Sequence, residues 1–218
     1  MRLTWPGHAC VLLEGSQRVL IDPYVLNGTI PKDPDLVVLT HGHFDHFGET
    51  LTLDAPTVAV NDLAKALSAL GMQATGLNFG GSITINGVTV SLTPAVHSVS
   101  MLELDGTKIM CGEAAGVVIR MDGVTVYHAG DTALFSDMRL IGELYHPDVA
   151  LLPIGGRFTM DSAAAMMAAA YIGAPMVIPI HYNTWPAIEQ DADAFKEAIE
   201  RTTDMQVMVL PSGGSIEI

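Results

Sequence analysis

The sequence predicts an α/β (α+β) domain in which sheets and helices pack in layers. Short apolar or alternating runs bounded by Gly, Pro and Asn recur along the chain, and three other segments have helical patterns with end signals. Strands come first and then alternate with helices, without a linker, which is typical of layered domains. With 218 residues, 49% of them hydrophobic, the chain can bury a full core, so we expect a single domain over residues 1–218.

The strand signals are runs of apolar or alternating residues that Gly, Pro and Asn interrupt. They predict strands at residues 9–13, 18–21, 35–39, 57–60, 88–92, 116–121, 124–128, 148–152, 176–180 and 206–210.

The helix signals are capping residues placed before helical runs and glycines placed after them. They predict a helix "LAKALSAL" capped by Asn61 or Asp62 and ended at Gly71, a helix "AAAMMAAAYI" capped by Asp161 or Ser162 and ended at Gly173, and a helix "AFKEAIERT" opened by Asp191 or Asp193.

Composition limits the partners of the chain. The net charge is −14, from 24 acidic and 10 scattered basic residues, so nucleic acid is a disfavoured partner because polyanions require clustered Lys and Arg. No apolar run approaches the ~20 residues of a membrane helix, and the start "MRLTWPGHAC" lacks a secretory hydrophobic region. Cys10 and Cys111 have no metal-type spacing. We therefore predict a cytoplasmic protein with reduced thiols and no membrane partner.

The stretch "LTHGHFDHFGE" concentrates metal-ligating residues after an apolar run. Within six positions it contains His41, His43, Asp45 and His46, in a chain with 8 histidines. Imidazole and carboxylate together suit Zn, Mn, Fe or Ni. A tight loop with this spacing can serve two neighbouring ions, so the cluster predicts half of a dinuclear site.

Three further candidate ligands follow predicted strands. His97 ends "LTPAVHS", Asp131 lies in "VTVYHAGDT", and His181 ends "MVIPIHYNTW". Loops at strand ends can gather side chains from distant parts of a chain, so we expect these residues to converge with the histidine cluster.

The segment "HGHFDH" matches the H-x-H-x-D-H signature of the metallo-β-lactamase fold superfamily. Nearly end to end, the chain resembles the UPF0173 (YtkL-like) metal-dependent hydrolases, which are related to L-ascorbate-6-phosphate lactonase. The blocks that carry this resemblance are "WPGHACVLLE", "LIDPY", "VYHAGDT", "LLPIGGRFTMD" and "HYNTWP". The resemblance implies a four-layer αββα sandwich with its site on the edge between two β-sheets.

The resemblance also implies the ligands of two divalent metal ions. The first ion is assigned to His41, His43 and His97, the second to Asp45, His46 and His181, and Asp131 bridges them. Zinc is the expected metal, with manganese or nickel as alternatives. Relatives are often multimeric, which allows a homo-oligomer.

Other residues have two interpretations each. His8 is either a proton donor or substrate contact in the pocket or a histidine that orients a ligand. Arg157 either holds an anionic substrate or is an ordinary surface arginine. Tyr182 and Asn183, with Trp185, either form the pocket wall or serve packing. Asp22 is expected to orient the metal loop, and His128 to be structural.

These residues predict a metal-dependent hydrolase. Metal-bound hydroxide would attack an ester, lactone or phosphodiester of a small, anionic molecule, with Asp45, Asp131 and His8 as the catalytic residues. The alternatives are an RNA- or DNA-processing nuclease of the same fold, and a non-catalytic metal-binding or sensor protein.

Overall fold

The computed structural model describes residues 1–218, which form sixteen strands and five α-helices. The strands are β1 (Arg2–Gly7), β2 (Cys10–Glu14), β3 (Arg18–Ile21), β4 (Leu36–Val38), β5 (Thr57–Val60), β6 (Ala74–Leu77), β7 (Ser82–Ile85), β8 (Val88–Pro94), β9 (Met101–Leu104), β10 (Thr107–Met110), β11 (Ala115–Met121), β12 (Val124–His128), β13 (Val149–Pro153), β14 (Met176–Ile180), β15 (Gln206–Val207) and β16 (Gly214–Glu217). The helices are α1 (Phe44–Phe47), α2 (Asn61–Ala69), α3 (Met138–Tyr145), α4 (Ser162–Ile172) and α5 (Ala192–Thr202), and short 3-10 helices cover Thr50–Thr52 and Pro186–Ile188.

Two seven-stranded mixed sheets form the centre of the molecule. Their strand orders are β16-β1-β2-β3-β4-β5-β6 and β15-β14-β13-β12-β11-β8-β7, and β9 and β10 form a separate hairpin. Helix α2 packs on β5 and β6 of the first sheet, whereas α4 and α5 pack on β13 and β15 of the second. Since 58 buried residues from both sheets and the helices form one apolar cluster, the expected αββα sandwich is confirmed.

All ten predicted strands are present, but six others were not predicted. The last predicted strand, 206–210, was too long, because only Gln206–Val207 pair with β14. Asp161 and Asp191 cap their helices, as expected. The predicted cap of α2 was wrong: the chain passes directly from β5 into the helix, with Val60 at the N-cap and no side-chain cap. No helix is long and apolar enough to cross a bilayer.

Strand direction explains how distant residues reach one edge. In the first sheet, β1 and β3 run in the same direction as β4, because β2 is antiparallel to both of its neighbours and β3 is parallel to β4. In the second sheet, β8 and β14 likewise share the direction of β12. Every proposed metal ligand follows the carboxyl end of one of these strands, so each sheet presents its candidate ligands at a single edge.

Candidate metal centre

The loop after β4 places the histidine cluster at the edge of the first sheet. His41 is buried and His43 half-buried, and the short helix α1 then carries Asp45 and His46. Gly42 is required between the two histidines because a Cβ there would lie 2.6 Å from Cβ of Cys111 and 2.9 Å from its Sγ. Cys111, which directly follows strand β10 of the hairpin, therefore packs against Gly42 and fixes the path of this loop.

The first group of ligand atoms consists of three imidazole nitrogens. Nε2 of His41 lies 2.9 Å from Nδ1 of His43, and Nε2 of His97 lies 3.2 Å from the same Nδ1. Nδ1 of His41 lies 3.0 Å from Oγ1 of Thr40, a hydroxyl that itself donates to Asp22. Oγ1 therefore accepts the Nδ1 proton, and Nε2 of His41 faces the other two rings with its lone pair.

The second group combines a carboxylate with imidazoles. Asp45, His46 and His181, together with His8, offer ligand atoms that all lie within 4.8 Å of one another. Nε2 of His181 lies 3.8 Å from Oδ2 of Asp45. All four residues are buried, so these donors are held in place by the surrounding protein.

Asp131 lies between the two groups. Its Oδ1 is 3.2 Å from Nε2 of His46, and its Oδ2 is 3.2 Å from Nε2 of His181 and 3.6 Å from Nε2 of His97. One buried carboxylate thus contacts histidines from both groups, which is the arrangement that a bridging ligand requires.

The chemistry of these donors fits cations. Several buried polar atoms of the cluster make no hydrogen bond within the protein, namely Nε2 of His46, Oδ1 of Asp131 and both ring nitrogens of His181. Buried polar atoms are normally paired, and convergent imidazole lone pairs beside a carboxylate are the ligands of a divalent transition metal. A divalent metal ion bound among these residues would satisfy these atoms together.

Charge coupling within the cluster is strong. Burial opposes protonation of His181, but the Asp131 carboxylate outweighs it and raises the pKa of His181 to about 9. Burial likewise opposes ionisation of Asp131, yet the neighbouring His181 and His46 hold its pKa well below the usual range. Asp131 is therefore an anion at neutral pH, as a ligand must be.

Asp22 orients the centre from beneath. It is fully buried, and its Oδ1 accepts from the backbone N–H of Thr40 at 2.8 Å. Its Oδ2 accepts from Nδ1 of His46 at 2.6 Å, which directs Nε2 of His46 toward Asp131. A carboxylate that fixes the tautomer of a ligating histidine is a usual part of metal sites.

His8 contacts the centre from the end of β1. Its Nε2 donates to Oδ2 of Asp45 at 3.1 Å, and its Nδ1 therefore accepts from Oγ1 of Thr184 at 2.8 Å. The His8 carbonyl accepts from the backbone N–H of His181 at 2.8 Å and so connects the two sheets. Burial, only partly offset by Asp45, lowers the pKa of His8 to about 4.

Backbone strain marks the same residues. His8, Asp22 and His181 have φ angles of 54°, 46° and 55°, a region that residues other than glycine rarely adopt. Such conformations persist only where the surroundings enforce them, and they cluster at functional sites.

The remaining predicted residues lie farther out. His128 is buried with both ring nitrogens bonded to backbone groups of Ala9 and Gly130, so it stabilises the strand ends. Arg157 is exposed beside Phe158 and forms no ion pair, in a loop that Met160 anchors to the carbonyl of Thr132 at 3.1 Å.

The segment after His181 forms part of a separate cleft. Tyr182 and Asn183 both line this cleft. The amide of Asn183 bonds the backbone of Gln190 through both of its polar atoms, at 2.7 and 3.1 Å, and thereby closes the loop.

Two residues that orient the centre were not predicted. Thr40 had a usable signal, since it directly precedes His41 at the end of an apolar run. Thr184 had none, because its partner His8 is 176 residues away along the chain.

Comparisons with known proteins identify the family of the chain. A family model described as "Beta-lactamase superfamily domain" matches residues 2–181. UPF0173 metal-dependent hydrolases from Methanoregula boonei and Methanoculleus marisnigri are 59% and 56% identical over 100% of this chain and 98% and 97% of their own lengths. The solved structure of Igni18, a metallo hydrolase from Ignicoccus hospitalis, superposes with a TM-score of 0.87 at 36% identity, covering 99% of this chain and 97% of that one. The chain therefore belongs to the UPF0173 metal-dependent hydrolases of the metallo-β-lactamase superfamily.

Proposed function

We propose that this hydrolase uses two divalent ions to cleave an ester, lactone or phosphodiester bond in a small, anionic molecule. The first ion would be held by His41, His43 and His97, the second by Asp45, His46 and His181, and Asp131 would bridge them. The position of Asp131, within 3.6 Å of histidines from both groups, is the observation that carries the proposal. Zinc is the expected metal, because imidazole and carboxylate ligands without thiolates suit it.

The bound ions supply a water of lowered pKa and Lewis acidity toward the oxygen that gains charge. The protein holds the proposed ligand side chains in place. Asp22 and Thr40 hold His46 and His41 in the tautomers that direct Nε2 into the centre. The Nε2–H group of His8 donates a hydrogen bond to Asp45, and this bond keeps the carboxylate in one orientation. This contact favours an orienting role for His8 over proton donation.

The substrate would reach the centre from the side of the first group. His43 and His97 are the half-buried ligands, so the substrate approaches over them. Exposed apolar residues flank both in sequence, Phe44 at 69% exposure and Val96 at 52%. Arg157 is the unpaired cation that we assign to an anionic substrate group, since a guanidinium binds phosphate or carboxylate through paired donors.

The same proposal covers location and partners. Cys10 and Cys111 are both free, which is consistent with a reducing cytoplasm. With a net charge of −14, the surface disfavours nucleic acid, and a homo-oligomer is compatible with every feature described.

The test is hydrolysis of bis(p-nitrophenyl) phosphate and of a phosphorylated sugar lactone. Protein stripped with a chelator would be reloaded separately with Zn²⁺, Mn²⁺ or Ni²⁺, with Asp131→Ala as the disabled variant and His146→Asn, an exposed histidine, as the control. We expect one metal to restore turnover in the parent and the control but not in Asp131→Ala. Bound metal without turnover on either substrate would contradict the proposal and favour a non-catalytic metal-binding protein.

A further inference from the structure

A cleft of about 1080 Å³ lies on the far side of His8 and contains none of the proposed metal ligands. It is formed by the end of β1, by residues 25–27, 182–184 and 189–193, and by residues 209–212. Thr184, which donates to His8, is part of its wall. The cleft therefore adjoins the metal centre through the Thr184–His8–Asp45 hydrogen bonds but is a separate site.

The wall of the cleft is negatively charged. Among its 19 lining residues there is no Lys or Arg, whereas Glu189, Asp191 and Asp193 are all present. Glu189 and Asp193 are exposed and form neither an ion pair nor a hydrogen bond. Free carboxylates on a concave surface without a cation attract positively charged ligands.

The start of α5 does not reverse this charge. A helix N-terminus attracts anions through its free N–H groups. Here the Asp191 carboxylate already accepts from the N–H of Ala194 at 2.9 Å, and Asp193 adds a second negative charge in the first turn. An anion would consequently meet two carboxylates at this end of the cleft.

Tyr182 provides an independent sign of a ligand. Its ring stacks on Trp5 with centroids 5.4 Å apart, and the residue is only 6% exposed. Its hydroxyl makes no hydrogen bond within the protein although the residue is mostly buried, so this oxygen is free to bond a group in the cleft that Tyr182 lines. Burial, reinforced by Asp193, raises the pKa of Tyr182 to about 12, so the phenol is neutral. Its oxygen can accept a hydrogen bond from an N–H group of a ligand.

We propose that this cleft binds an organic cation, with its ammonium group at Glu189, Asp193 and the Tyr182 hydroxyl. An apolar body suits the rest of the cleft, because Val25, Leu26 and Leu210 line it and Leu26 is 52% exposed. Ammonium N–H groups match both carboxylate and phenol oxygens, and aromatic rings also attract cations. The proposal depends on the cleft alone and not on the hydrolytic function.

The test is calorimetric titration of the full-length, metal-loaded protein with phenethylammonium and, separately, with 3-phenylpropionate. We expect phenethylammonium to bind, and 3-phenylpropionate to bind at least about tenfold more weakly. The double variant Glu189→Gln/Asp193→Asn should weaken phenethylammonium binding about tenfold, and Tyr182→Phe should weaken it severalfold. Metal-free protein should bind the cation equally well, which separates this result from any failure of hydrolysis.

A matched control removes the general effect of an acidic surface. Glu197→Gln/Asp204→Asn deletes the same two charges from exposed positions outside the cleft and should leave binding unchanged. Equal weakening in both double variants would overturn the proposal, as would equal affinity for the anion or an absence of phenethylammonium binding at millimolar concentration.

Discussion

The Oδ2 atom of Asp22 lies 2.6 Å from Nδ1 of His46, and both side chains are completely buried. Burial opposes ionisation of Asp22 and protonation of His46, but their mutual attraction, together with Asp131, outweighs it. The pKa of Asp22 is held below its usual value, and that of His46 well above. The proton on Nδ1 is consequently fixed, and in the metal-free protein Nε2 is protonated as well, so a metal ion at Nε2 would displace only the Nε2 proton.

Asp22→Asn should weaken metal binding while leaving every proposed ligand in place. The amide retains the shape of the side chain but cannot act as a charged acceptor for both His46 and Thr40. We expect a loss of roughly 10- to 100-fold in metal affinity. Competition with a chromophoric chelator would measure it, with Asp54→Asn, an exposed aspartate, as the control. Unchanged affinity would show that Asp22 serves folding alone.

Metal content should separate the two groups of ligands. His43→Ala removes a nitrogen of the first group and His46→Ala one of the second. If the parent holds the two proposed ions, each variant should retain about one ion per chain. The Asp131 carboxylate contacts histidines of both groups, so Asp131→Ala should lower the occupancy of both metal positions. Elemental analysis after dialysis would count the ions. His146→Asn, whose replacement tolerates the positive φ at this position, should match the parent. Unchanged content in His43→Ala and Asp131→Ala would refute the assignment.

The convergence of the candidate ligands could be predicted because its sequence signals are local. Four candidates lie within six positions, and the other three each follow a strand with an apolar or alternating pattern. A strand end fixes where the chain reaches the sheet edge, so a polar residue there is placed by the fold. The pairing of His8 with Thr184 could not be predicted, because it depends on how the ends of β1 and β14 meet across the two sheets.

The missed elements have physical explanations. Helix α3 contains Gly142, which lowers the helix propensity of this segment, so the sequence pattern did not predict a helix there. Yet a Cβ at that position would lie 2.2 Å from the Ile172 carbonyl oxygen, so glycine is required for α3 to pack closely on α4. Strand β1 contains Pro6, which argues against a strand, and it pairs with β16 from the opposite end of the chain.

His8 should make the stability of the metal-free protein depend on pH. Its folded pKa of about 4 lies below the ~6.5 of an unfolded histidine, so the unfolded chain binds more protons between these values. Stability is therefore complete above pH 6.5 and falls as the pH falls toward 4, by up to about 3 kcal/mol. His8→Gln keeps an N–H for Asp45 but does not titrate. Denaturant unfolding at several pH values should show the difference between parent and variant shrinking over this range, and parallel curves would rule out a neutral, buried His8.

Arg157 should affect binding of an anionic substrate without changing the metal centre. Its guanidinium forms no ion pair, and its loop is anchored beside Asp131 through Met160 and Thr132. With an active metal-loaded enzyme, Arg157→Ala should raise KM for bis(p-nitrophenyl) phosphate about tenfold, the loss expected for one charge-assisted hydrogen bond. KM for the neutral ester p-nitrophenyl acetate and the metal content should stay the same, as should both KM values in Arg201→Ala, which removes an exposed arginine elsewhere. Because a purely structural effect would raise both KM values together, equal increases for the charged and the neutral substrate would remove Arg157 from the substrate site.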